Sequence, residues 1–364
     1  MTGKGPSRID GPFMLPKTMR ALCKTAPKPG FEACEVPVPT YGPSDVLIRV
    51  EKAGICGSDL HIYSWDKWAQ SRIKPPLVMG HEFMGHVAAV GEAVRMVSVG
   101  DRVSAEGHIG DGTCFLCRTG QAHLCENLKI IGVDRDGAFA EYIAMPEGNV
   151  WKLDPAIPDE VAAVFDPLGN AVHTVMAAGV SVKSVLITGV GSIGLMAVLV
   201  ARAAGASAIY AVDVNPAKLE LAKSLGADET FLASDPKLVE KIQARTRGEG
   251  ADVLLEMSGS PQAIDTGLRA VRNGGRAALL GIPADNISIN LADRVIFKGL
   301  EILGINGRRM FETWYQTEDL VRSGRVDLRA IITHVLPLAE FERGFELMRG
   351  GEAAKIVLDV KGSS

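Results

Sequence analysis

Three residues whose side chains commonly bind zinc lie between residues 56 and 82. Cys56 opens the stretch Cys-Gly-Ser-Asp-Leu-His, and His81 and Glu82 are neighbours in Gly-His-Glu. A thiolate, an imidazole and a carboxylate are good zinc ligands, and three of them leave a fourth position for water or substrate. Such a zinc polarises an alcohol oxygen, as hydride abstraction from the carbinol carbon requires. Taken singly, Cys56 is also explained as a small buried side chain, and His81–Glu82 as a surface pair in a turn.

A second chemical signature is a glycine-rich stretch in the middle of the chain. Gly189, Gly191 and Gly194 form GxGxxG after an apolar run, and Asp213 ends the next apolar run. In this context the pattern predicts a dinucleotide site, with the pyrophosphate at a helix N-terminus. Asp213 would accept hydrogen bonds from the ribose hydroxyls and repel a 2′-phosphate, which predicts NAD rather than NADP. The alternative is an ordinary glycine-rich turn between a strand and a helix.

Two kinds of framework are predicted to hold these residues. From about residue 19 to 155 the chain is rich in Gly, Pro and β-branched residues, which predicts a mostly β domain. From about residue 182 to 305, strand-like and helical runs alternate, which predicts βαβ units and a parallel sheet. Strands are predicted at residues 46–50, 85–90, 102–105, 184–190, 208–213, 229–232, 252–257, 276–281, 300–305 and 354–360. Helices are predicted at residues 192–204, 216–225 and 338–349, with a further helical stretch ending at Ser323.

Composition excludes several classes of function. The chain has 364 residues, 47% hydrophobic and 23% charged, which is the balance of a globular protein with two or three domains. A formal net charge of -4 without a long basic run argues against nucleic acid as a partner. No apolar run reaches the roughly 18 residues that span a bilayer. Residues 1–15 have no apolar core of a secretory signal, so we expect a cytoplasmic protein without a membrane partner.

The six cysteines fall into separate groups. An even number admits a disulfide framework, but close spacing in a large chain more often indicates a metal site. Cys23 and Cys34 match no ligand pattern, so we interpret them as buried thiols. Besides Cys56, the remaining cysteines lie in one loop that also contains an aspartate, with the spacing D-x2-C-x2-C-x7-C: Asp111, Cys114, Cys117 and Cys125.

The order of these motifs resembles that of the zinc-containing medium-chain alcohol dehydrogenase superfamily. The motifs are Cys-Gly-Ser-Asp-x-His, GHExxGxxxxxG, Gly-Asp-Arg-Val at residues 100–103, and GxGxxG. Within the superfamily the chain is most similar to the L-threonine 3-dehydrogenases, chiefly through FDPLGNAVHT (165–174) and RRMFETWY (308–315). The resemblance implies an α/β fold: a GroES-like, β-rich catalytic domain (1–165 and 307–364) and an inserted Rossmann NAD-binding domain with a doubly wound parallel sheet (166–306).

The resemblance also implies catalytic roles for residues at matching positions. Cys56, His81 and Glu82 would hold the catalytic zinc. Ser58 would accept the proton of the substrate hydroxyl, and His61 would pass it to solvent through the nicotinamide ribose.

A further carboxylate and a set of cofactor contacts follow from the same resemblance. Asp166 matches a group that assists proton transfer near the metal without being a fixed ligand, and its alternative role is that of a helix N-cap. The positions that match family contacts to NAD, beyond the glycines, are Ile193, Asp213, Lys218, Leu280, Gly281, Ile282, Ile305 and Asn306. Lys218 stands where Arg is usual, and Asn306 where Tyr is usual.

The cysteine-rich loop departs from the family pattern at one position. The family loop carries four cysteines and a structural zinc, whereas here Asp111 replaces the first cysteine. Because aspartate is an acceptable zinc ligand, our first interpretation is a structural zinc held by one carboxylate and three thiolates. The alternatives are a weakened site that loses its metal easily, or three free thiols.

The reaction that the resemblance implies is zinc-dependent, NAD-linked oxidation of L-threonine to 2-amino-3-oxobutyrate, by a homo-oligomer that is commonly a tetramer. Three alternatives stay open. They are a polyol or diol dehydrogenase acting on sorbitol or butanediol, a zinc-free enone or quinone reductase of the same fold, and a silent NAD-sensing or structural protein. The three zinc-ligand candidates count against the reductase, and the pair Ser58 and His61 counts against the silent protein.

Overall fold

The computed structural model describes residues 15–361, and the predicted absence of a secretory signal falls almost wholly outside this range. In chain order the strands are β1 (Thr18–Lys24), β2 (Glu32–Pro37), β3 (Asp45–Ile55), β4 (Leu77–Val78), β5 (Glu82–Val90), β6 (Arg102–Ala105), β7 (His108–Ile109), β8 (Lys129–Ile130), β9 (Tyr142–Pro146), β10 (Val150–Lys152), β11 (Ser184–Thr188), β12 (Ala208–Asp213), β13 (Glu229–Leu232), β14 (Ala251–Glu256), β15 (Val271–Leu279), β16 (Glu301–Gly304), β17 (Ile332–Pro337) and β18 (Lys355–Asp359).

The helices are α1 (Gly57–Ser64), α2 (Lys67–Arg72), α3 (Phe115–Arg118), α4 (Asp159–Ala162), α5 (Phe165–Ala178), α6 (Ser192–Ala203), α7 (Pro216–Ser224), α8 (Leu238–Arg245), α9 (Pro261–Ala270), α10 (Glu312–Arg322) and α11 (Phe341–Gly350). Between residues 15 and 361, none of them is long and apolar enough to cross a membrane.

The middle of the chain forms a six-stranded parallel sheet in the order β13-β12-β11-β14-β15-β16. Its central strands are buried apolar runs, such as Val185–Thr188 in β11, because helices cover both faces of the sheet. The strand order reverses between β11 and β14, and ligands bind such sheets in the crevice beyond the carboxyl ends of the strands at this point.

Strands from both ends of the chain form a seven-stranded sheet in the order β10-β6-β5-β3-β18-β17, with β9 also paired to β3. The eleven-residue β3 is its central strand and pairs with β5, β9 and β18. β18 is the last strand among residues 15–361, so this C-terminal segment is part of the same sheet as strands from the N-terminal half. This sheet and the smaller sheet β2-β1-β4 share one apolar core around Ile48 and Phe83.

The β-rich region and the doubly wound parallel sheet confirm the predicted fold class. The predicted strands are present with shifts of a few residues at their ends, the largest at β3, β5 and β15. The boundaries at residues 165/166 and 306/307 stay a prediction.

The interpretation of Cys23 and Cys34 as two buried thiols is wrong, because the structure joins them in a disulfide. The antiparallel register of β1 and β2 places Cys34 opposite Ala21, one diagonal step from Cys23. The two Cα atoms are 6.2 Å apart, a separation that a disulfide spans. The pairing depends on the hairpin register, which the spacing of the two cysteines alone does not reveal.

Candidate active site

The first cluster of potential metal ligands forms where β3 ends and β5 begins. Cys56 is the residue before α1, His81 precedes β5, and Glu82 is the first residue of β5. Because β3 and β5 are antiparallel neighbours, the turn after β3 lies beside the start of β5. The ligand atoms of the three residues lie within 4.8 Å of one another. His81 and Glu82 are buried, so their alternative explanation as a surface pair in a turn is wrong.

The surroundings of this cluster favour positive charge. His81 Nε2 lies 3.3 Å from Ser58 Oγ, and His81 Nδ1 lies 3.5 Å from Asp59 Oδ1. Burial lowers the pKa of His81, but the negative charges of Asp59 and Cys56 outweigh burial and raise it well above its ordinary value. A negative potential together with thiol, imidazole and carboxylate donors fits a zinc ion.

Two buried partners of the cluster were missed in the sequence. Asp59 accepts a hydrogen bond of 2.9 Å from the Cys56 N–H, and Lys355 Nζ in β18 lies 2.7 Å from Glu82 Oε1. Burial lowers the pKa of Lys355, but the charge of Glu82 raises it overall. Asp59 is the third residue of α1, so a capping box would have indicated it. Lys355 is 273 residues from Glu82, and no local signal indicates it.

Helix α1 carries the two residues assigned to proton transfer. Ser58 and His61 are three positions apart and therefore lie on one face of α1. Ser58 contacts His81, whereas His61 is exposed and its Nδ1 lies 2.5 Å from Asp66 Oδ2. Asp66, which we did not predict, also accepts a hydrogen bond from Ala69 at the start of α2. Within the described residues no hydrogen bond joins Ser58 to His61.

Asp166 belongs to a buried ion-pair network. It lies inside α5 with Val164 at the N-cap position, so its alternative role as a helix N-cap is wrong. Asp166 Oδ1 lies 2.8 Å from Arg308 Nη1, and Arg308 Nε donates a hydrogen bond of 2.8 Å to Glu106 Oε2. Trp314 Nε1 donates to the same oxygen at 2.8 Å. The stretches FDPLGNAVHT and RRMFETWY thus meet at Asp166 and Arg308. Arg308 and Trp314 join the second stretch to Glu106, to which the sequence analysis assigned no role.

Arg308 determines the ionisation of this network. Burial alone would raise the pKa of Glu106, but the charge and hydrogen bonds of Arg308 outweigh it and lower the pKa to about 2. The pKa of Arg308 is raised in turn, because Asp166 and Glu106 outweigh its burial. Both Asp166 and Arg308 lie close enough to the zinc-ligand cluster to interact electrostatically with Glu82.

The glycine-rich turn has the geometry that a pyrophosphate site needs. Gly189 has φ of +84°, which favours glycine, and a Cβ on Gly194 would lie 2.0 Å from the Gly189 carbonyl oxygen. Gly191 is the N-cap of α6 and has no atom near the position of a Cβ. No side chain caps the described N-terminus of α6, so its N–H groups face an open turn.

The other predicted cofactor residues lie near the same edge of the parallel sheet. Asp213 ends β12 and accepts hydrogen bonds from the N–H groups of Val190 and Asn215, at 2.8 and 2.9 Å. A cavity of about 400 Å³ opens beside Asp213. The remaining residues follow the carboxyl ends of strands or lie in the helices after them: Ile193 in α6, Lys218 in α7, Leu280, Gly281 and Ile282 after β15, and Ile305 and Asn306 after β16.

The cysteine-rich loop forms a second compact cluster. Ligand atoms of its four candidate residues lie within 4.8 Å of one another: Asp111, Cys114, Cys117 and Cys125. The N–H groups of Asp111 and Asn127 point at Cys125 Sγ, at 3.3 and 3.4 Å. The Asp111 carboxylate also accepts a hydrogen bond of 2.7 Å from Asn127 Nδ2. Three thiols and one carboxylate fit a tetrahedral zinc ion.

Comparison with known proteins gives the family. Residues 42–155 match the alcohol dehydrogenase GroES-like domain, and residues 192–323 match the zinc-binding dehydrogenase family. An L-threonine 3-dehydrogenase of Symbiobacterium thermophilum is 51% identical over 345 residues, covering 94% of this chain and 98% of that protein. The chain belongs to the zinc-binding dehydrogenase family. Membership confirms the predicted superfamily and the oxidoreductase class, and the predicted cofactors, zinc and NAD, are those of the family.

Solved structures resemble this zinc-binding dehydrogenase over almost its whole length. Alcohol dehydrogenase TADH from Thermus sp. ATN1 is 36% identical, with a TM-score of 0.86 over 94% of this chain and 99% of that chain. The 2R,3R-butanediol dehydrogenase from Bacillus subtilis is 27% identical, with a TM-score of 0.84 over 94% and 99% of the two chains. Dehydrogenases whose names state different substrates therefore share this fold, and the fold alone does not determine the substrate.

Proposed function

We propose that this protein is an L-threonine 3-dehydrogenase, which oxidises the secondary hydroxyl of L-threonine with NAD to give 2-amino-3-oxobutyrate. The observation that carries the proposal is the 51% identity to a protein of that name over nearly the whole of both chains. The butanediol dehydrogenase of the same fold is only 27% identical. The stretches FDPLGNAVHT and RRMFETWY add support, because they meet in one buried network that influences Glu82.

For the reaction we propose that Cys56, His81 and Glu82 hold the catalytic zinc. Zinc held there would supply the polarisation of the substrate hydroxyl, and NAD held at the glycine-rich turn would supply the hydride acceptor. Ser58 receives the hydroxyl proton, a role that its place 3.3 Å from His81 supports. His61 is exposed and paired with Asp66, so it is suited to pass the proton on to solvent.

Asp166 assists proton transfer in this proposal without binding the metal. Its contact with Arg308 holds the carboxylate in a fixed orientation. For NAD we propose the glycine-rich turn at the pyrophosphate, Asp213 at the adenosine ribose, and the segments after β15 and β16 at the nicotinamide end. Lys218 keeps the positive charge of the usual arginine but lacks its planar fork.

We also propose that the second cluster holds a structural zinc, with Asp111 as the fourth ligand. For the whole protein we propose a cytoplasmic homo-oligomer, as a tetramer. Exposed apolar side chains before the edge strand β16 support self-association: Leu291, Ile296 and Phe297 are 58, 64 and 77% exposed.

A substrate panel with NAD tests the proposed function. The kcat/KM for L-threonine should exceed that for 2,3-butanediol, sorbitol and D-threonine by orders of magnitude. A site that pairs both charges of an amino acid leaves its own polar groups unpaired when an analogue lacks one. NADH formation is followed by absorbance, with and without a chelator. More efficient oxidation of a diol or polyol would reject threonine as the substrate while leaving the zinc-dependent dehydrogenase in place.

A further inference from the structure

Glu256 is a buried carboxylate at the cofactor edge of the parallel sheet that has no role in the proposed reaction. It is the last residue of β14 and has no exposed surface. Among residues 15–361 no cation is found in an ion pair with it. Its oxygens instead accept hydrogen bonds from N–H and O–H donors alone, which lie on Thr188, Ser258 and Gly259.

These donors place Glu256 between separate cofactor segments. Thr188 is the residue before the glycine-rich turn, and its hydroxyl lies 3.4 Å from Glu256 Oε1. The N–H of Ser258 lies 2.9 Å from the same oxygen, and the N–H of Gly259 lies 3.1 Å from Oε2. Ser258 in turn packs on Gly189, where an added Cβ would lie 2.6 Å from the Ser258 Cβ. The hydrogen bonds of the carboxylate thus hold the turn after β14 in contact with Gly189, the first glycine of the pyrophosphate turn.

The main chain of Glu256 holds the third segment. Its carbonyl oxygen accepts hydrogen bonds from the N–H groups of Leu280 and Gly281, at 2.9 and 3.1 Å. A Cβ on Gly281 would lie 2.6 Å from Glu256 Oε2 and 2.1 Å from the Gly259 nitrogen. The segment after β15 therefore packs directly on the side chain of Glu256 and on the turn that this side chain holds.

We infer that Glu256 is a positioning residue for the nicotinamide cofactor, which fixes the glycine-rich turn, the turn after β14 and the segment 280–282 in one arrangement. The inference rests on the proposed NAD site. Both oxygens must be acceptors, because the Ser258 N–H at Oε1 and the Gly259 N–H at Oε2 can only donate. In Glu256→Gln an NH₂ group replaces one carboxylate oxygen. This group would face the N–H of either Gly259 or Ser258, and two donors cannot form a hydrogen bond with each other.

The test compares Glu256→Gln with Asp252→Asn. Asp252 lies near the other end of the same strand and accepts hydrogen bonds from Ser184 and Arg272, far from the cofactor turns. Both substitutions convert a hydrogen-bonded carboxylate of β14 to an amide. The Kd for NAD is measured by titration, together with KM for NAD, kcat at saturating NAD, zinc content and the melting temperature of the cofactor-free protein.

Glu256→Gln should raise both Kd and KM for NAD by about tenfold, the effect of losing a hydrogen bond to a charged group. Its zinc content and its kcat at saturating NAD should stay within about threefold of wild type. Asp252→Asn should lower the melting temperature and leave the Kd for NAD unchanged. A lower melting temperature with an unchanged Kd in Glu256→Gln would overturn the inference and leave a purely structural role.

Ser258→Ala covers the case in which Glu256→Gln does not fold. It keeps the carboxylate and removes the hydroxyl, which donates to Glu256 Oε1 and accepts a hydrogen bond of 3.0 Å from the Ser260 N–H, so the Kd for NAD should rise by about threefold. An unchanged Kd in this variant would also overturn the inference. Failure of the proposed NAD site looks different, because the wild-type protein itself would then not bind NAD. Rejection of threonine as the substrate would appear only in the substrate panel and would leave the Kd comparison intact.

Discussion

The charge balance around Glu82 depends on side chains from distant parts of the chain. Glu82 is buried, and its partner Lys355 belongs to the last strand, while Asp166 adds a second negative charge nearby. Removing one partner of a buried ion pair leaves the other charge uncompensated, at a cost of about 3–5 kcal/mol. A bound cation beside Cys56 and His81 would offset part of the remaining negative charge. The metal site and the stability of the surrounding sheet are therefore linked.

Cys56→Ser should abolish turnover, because a neutral hydroxyl replaces a thiolate in the proposed ligand set. The fold and NAD binding should stay close to wild type, since Cys56 is remote from the glycine-rich turn in the chain and is only half-buried. Activity, circular dichroism and NAD titration measure the three properties. Full activity in metal-stripped Cys56→Ser protein would reject the zinc assignment.

Asp213→Ala should raise the KM for NAD and relax discrimination against NADP, because the carboxylate both binds the ribose and repels a 2′-phosphate. Asp213 also accepts hydrogen bonds from Val190 and Asn215, so the alanine variant disturbs the turn as well. Asp213→Asn is the matched control, since it removes the charge and keeps an acceptor. Steady-state kinetics with both cofactors provide the measurement. If the wild-type protein already uses NADP as efficiently as NAD, the role assigned to Asp213 is wrong.

Single residues differ in how far the sequence indicates them. The residue types of Cys56, His81 and Glu82 suggested a zinc site and the family resemblance assigned it, and the structure brings their ligand atoms together. Lys355 has no such signal, because it reaches Glu82 only through the pairing of β18 with β3.

At the scale of elements, Arg308 joins three segments that are far apart in sequence. Glu106 follows β6, Asp166 lies in α5, and Arg308 lies between β16 and α10. The guanidinium of Arg308 forms charge-assisted hydrogen bonds and ion pairs with two carboxylates. Because all three groups are buried, removal of one of them leaves a charge without its partner.

Glu106→Gln should destabilise the protein by roughly 3 kcal/mol at pH 7, because it leaves Arg308 with one partner fewer. The folded-state pKa of Glu106 is about 2, below the ordinary value of 4.5. Its contribution is therefore complete above about pH 4.5 and is lost as the pH falls towards 2. Urea unfolding of metal-free wild-type and variant protein at pH 7 and at pH 3 should show a smaller difference at pH 3.

Glu141→Gln is the control for this experiment. Glu141 pairs with Arg20 on the surface, where an ion pair contributes at most about 1 kcal/mol. An equal loss of stability for Glu106→Gln at both pH values would contradict the assigned pKa.

The loop that contains α3 should bind one zinc per subunit in addition to the catalytic ion. Gently purified protein should therefore contain close to two zinc ions per chain, and Asp111→Ala should lower the value towards one. Elemental analysis and thiol titration provide the measurement. A stable value of one in wild type, with Cys114, Cys117 and Cys125 all reactive, would show that the loop holds no metal.

Elements with a local sequence pattern were predictable, and elements that depend on pairing between distant segments were less so. The apolar run and GxGxxG correctly predicted β11 followed by α6, because a phosphate-binding turn has a local signature. The start of β5 at Glu82 was missed, since a charged residue in a buried strand is unusual, and the ion pair with Lys355 that stabilises it has no local signal. The disulfide between Cys23 and Cys34 was also missed, because it depends on the pairing of β1 with β2.

At the scale of the whole molecule, the strands of the parallel sheet are inserted in the sequence between two groups of strands that form the other large sheet. All six parallel strands lie between Ser184 and Gly304, and strands from before and after them make up the seven-stranded sheet. The division at residues 165/166 and 306/307 stays a prediction. Nothing in the composition reveals this return of the chain, and only the resemblance to a family implied it.

The position of β18 has a consequence for biosynthesis. A ribosome releases the chain from its N-terminus, so all six parallel strands emerge before β18 does. Until β18 emerges, residues 52–55 of β3 lack their pairing partner in β18, and Glu82 lacks Lys355. A nascent chain that stalls, or a mature chain clipped before Lys355, would therefore keep the strands of its nucleotide-binding half and lose the counter-charge of its metal centre. Residues 355–359 thus complete the charge balance of a site encoded some 300 residues earlier in the chain.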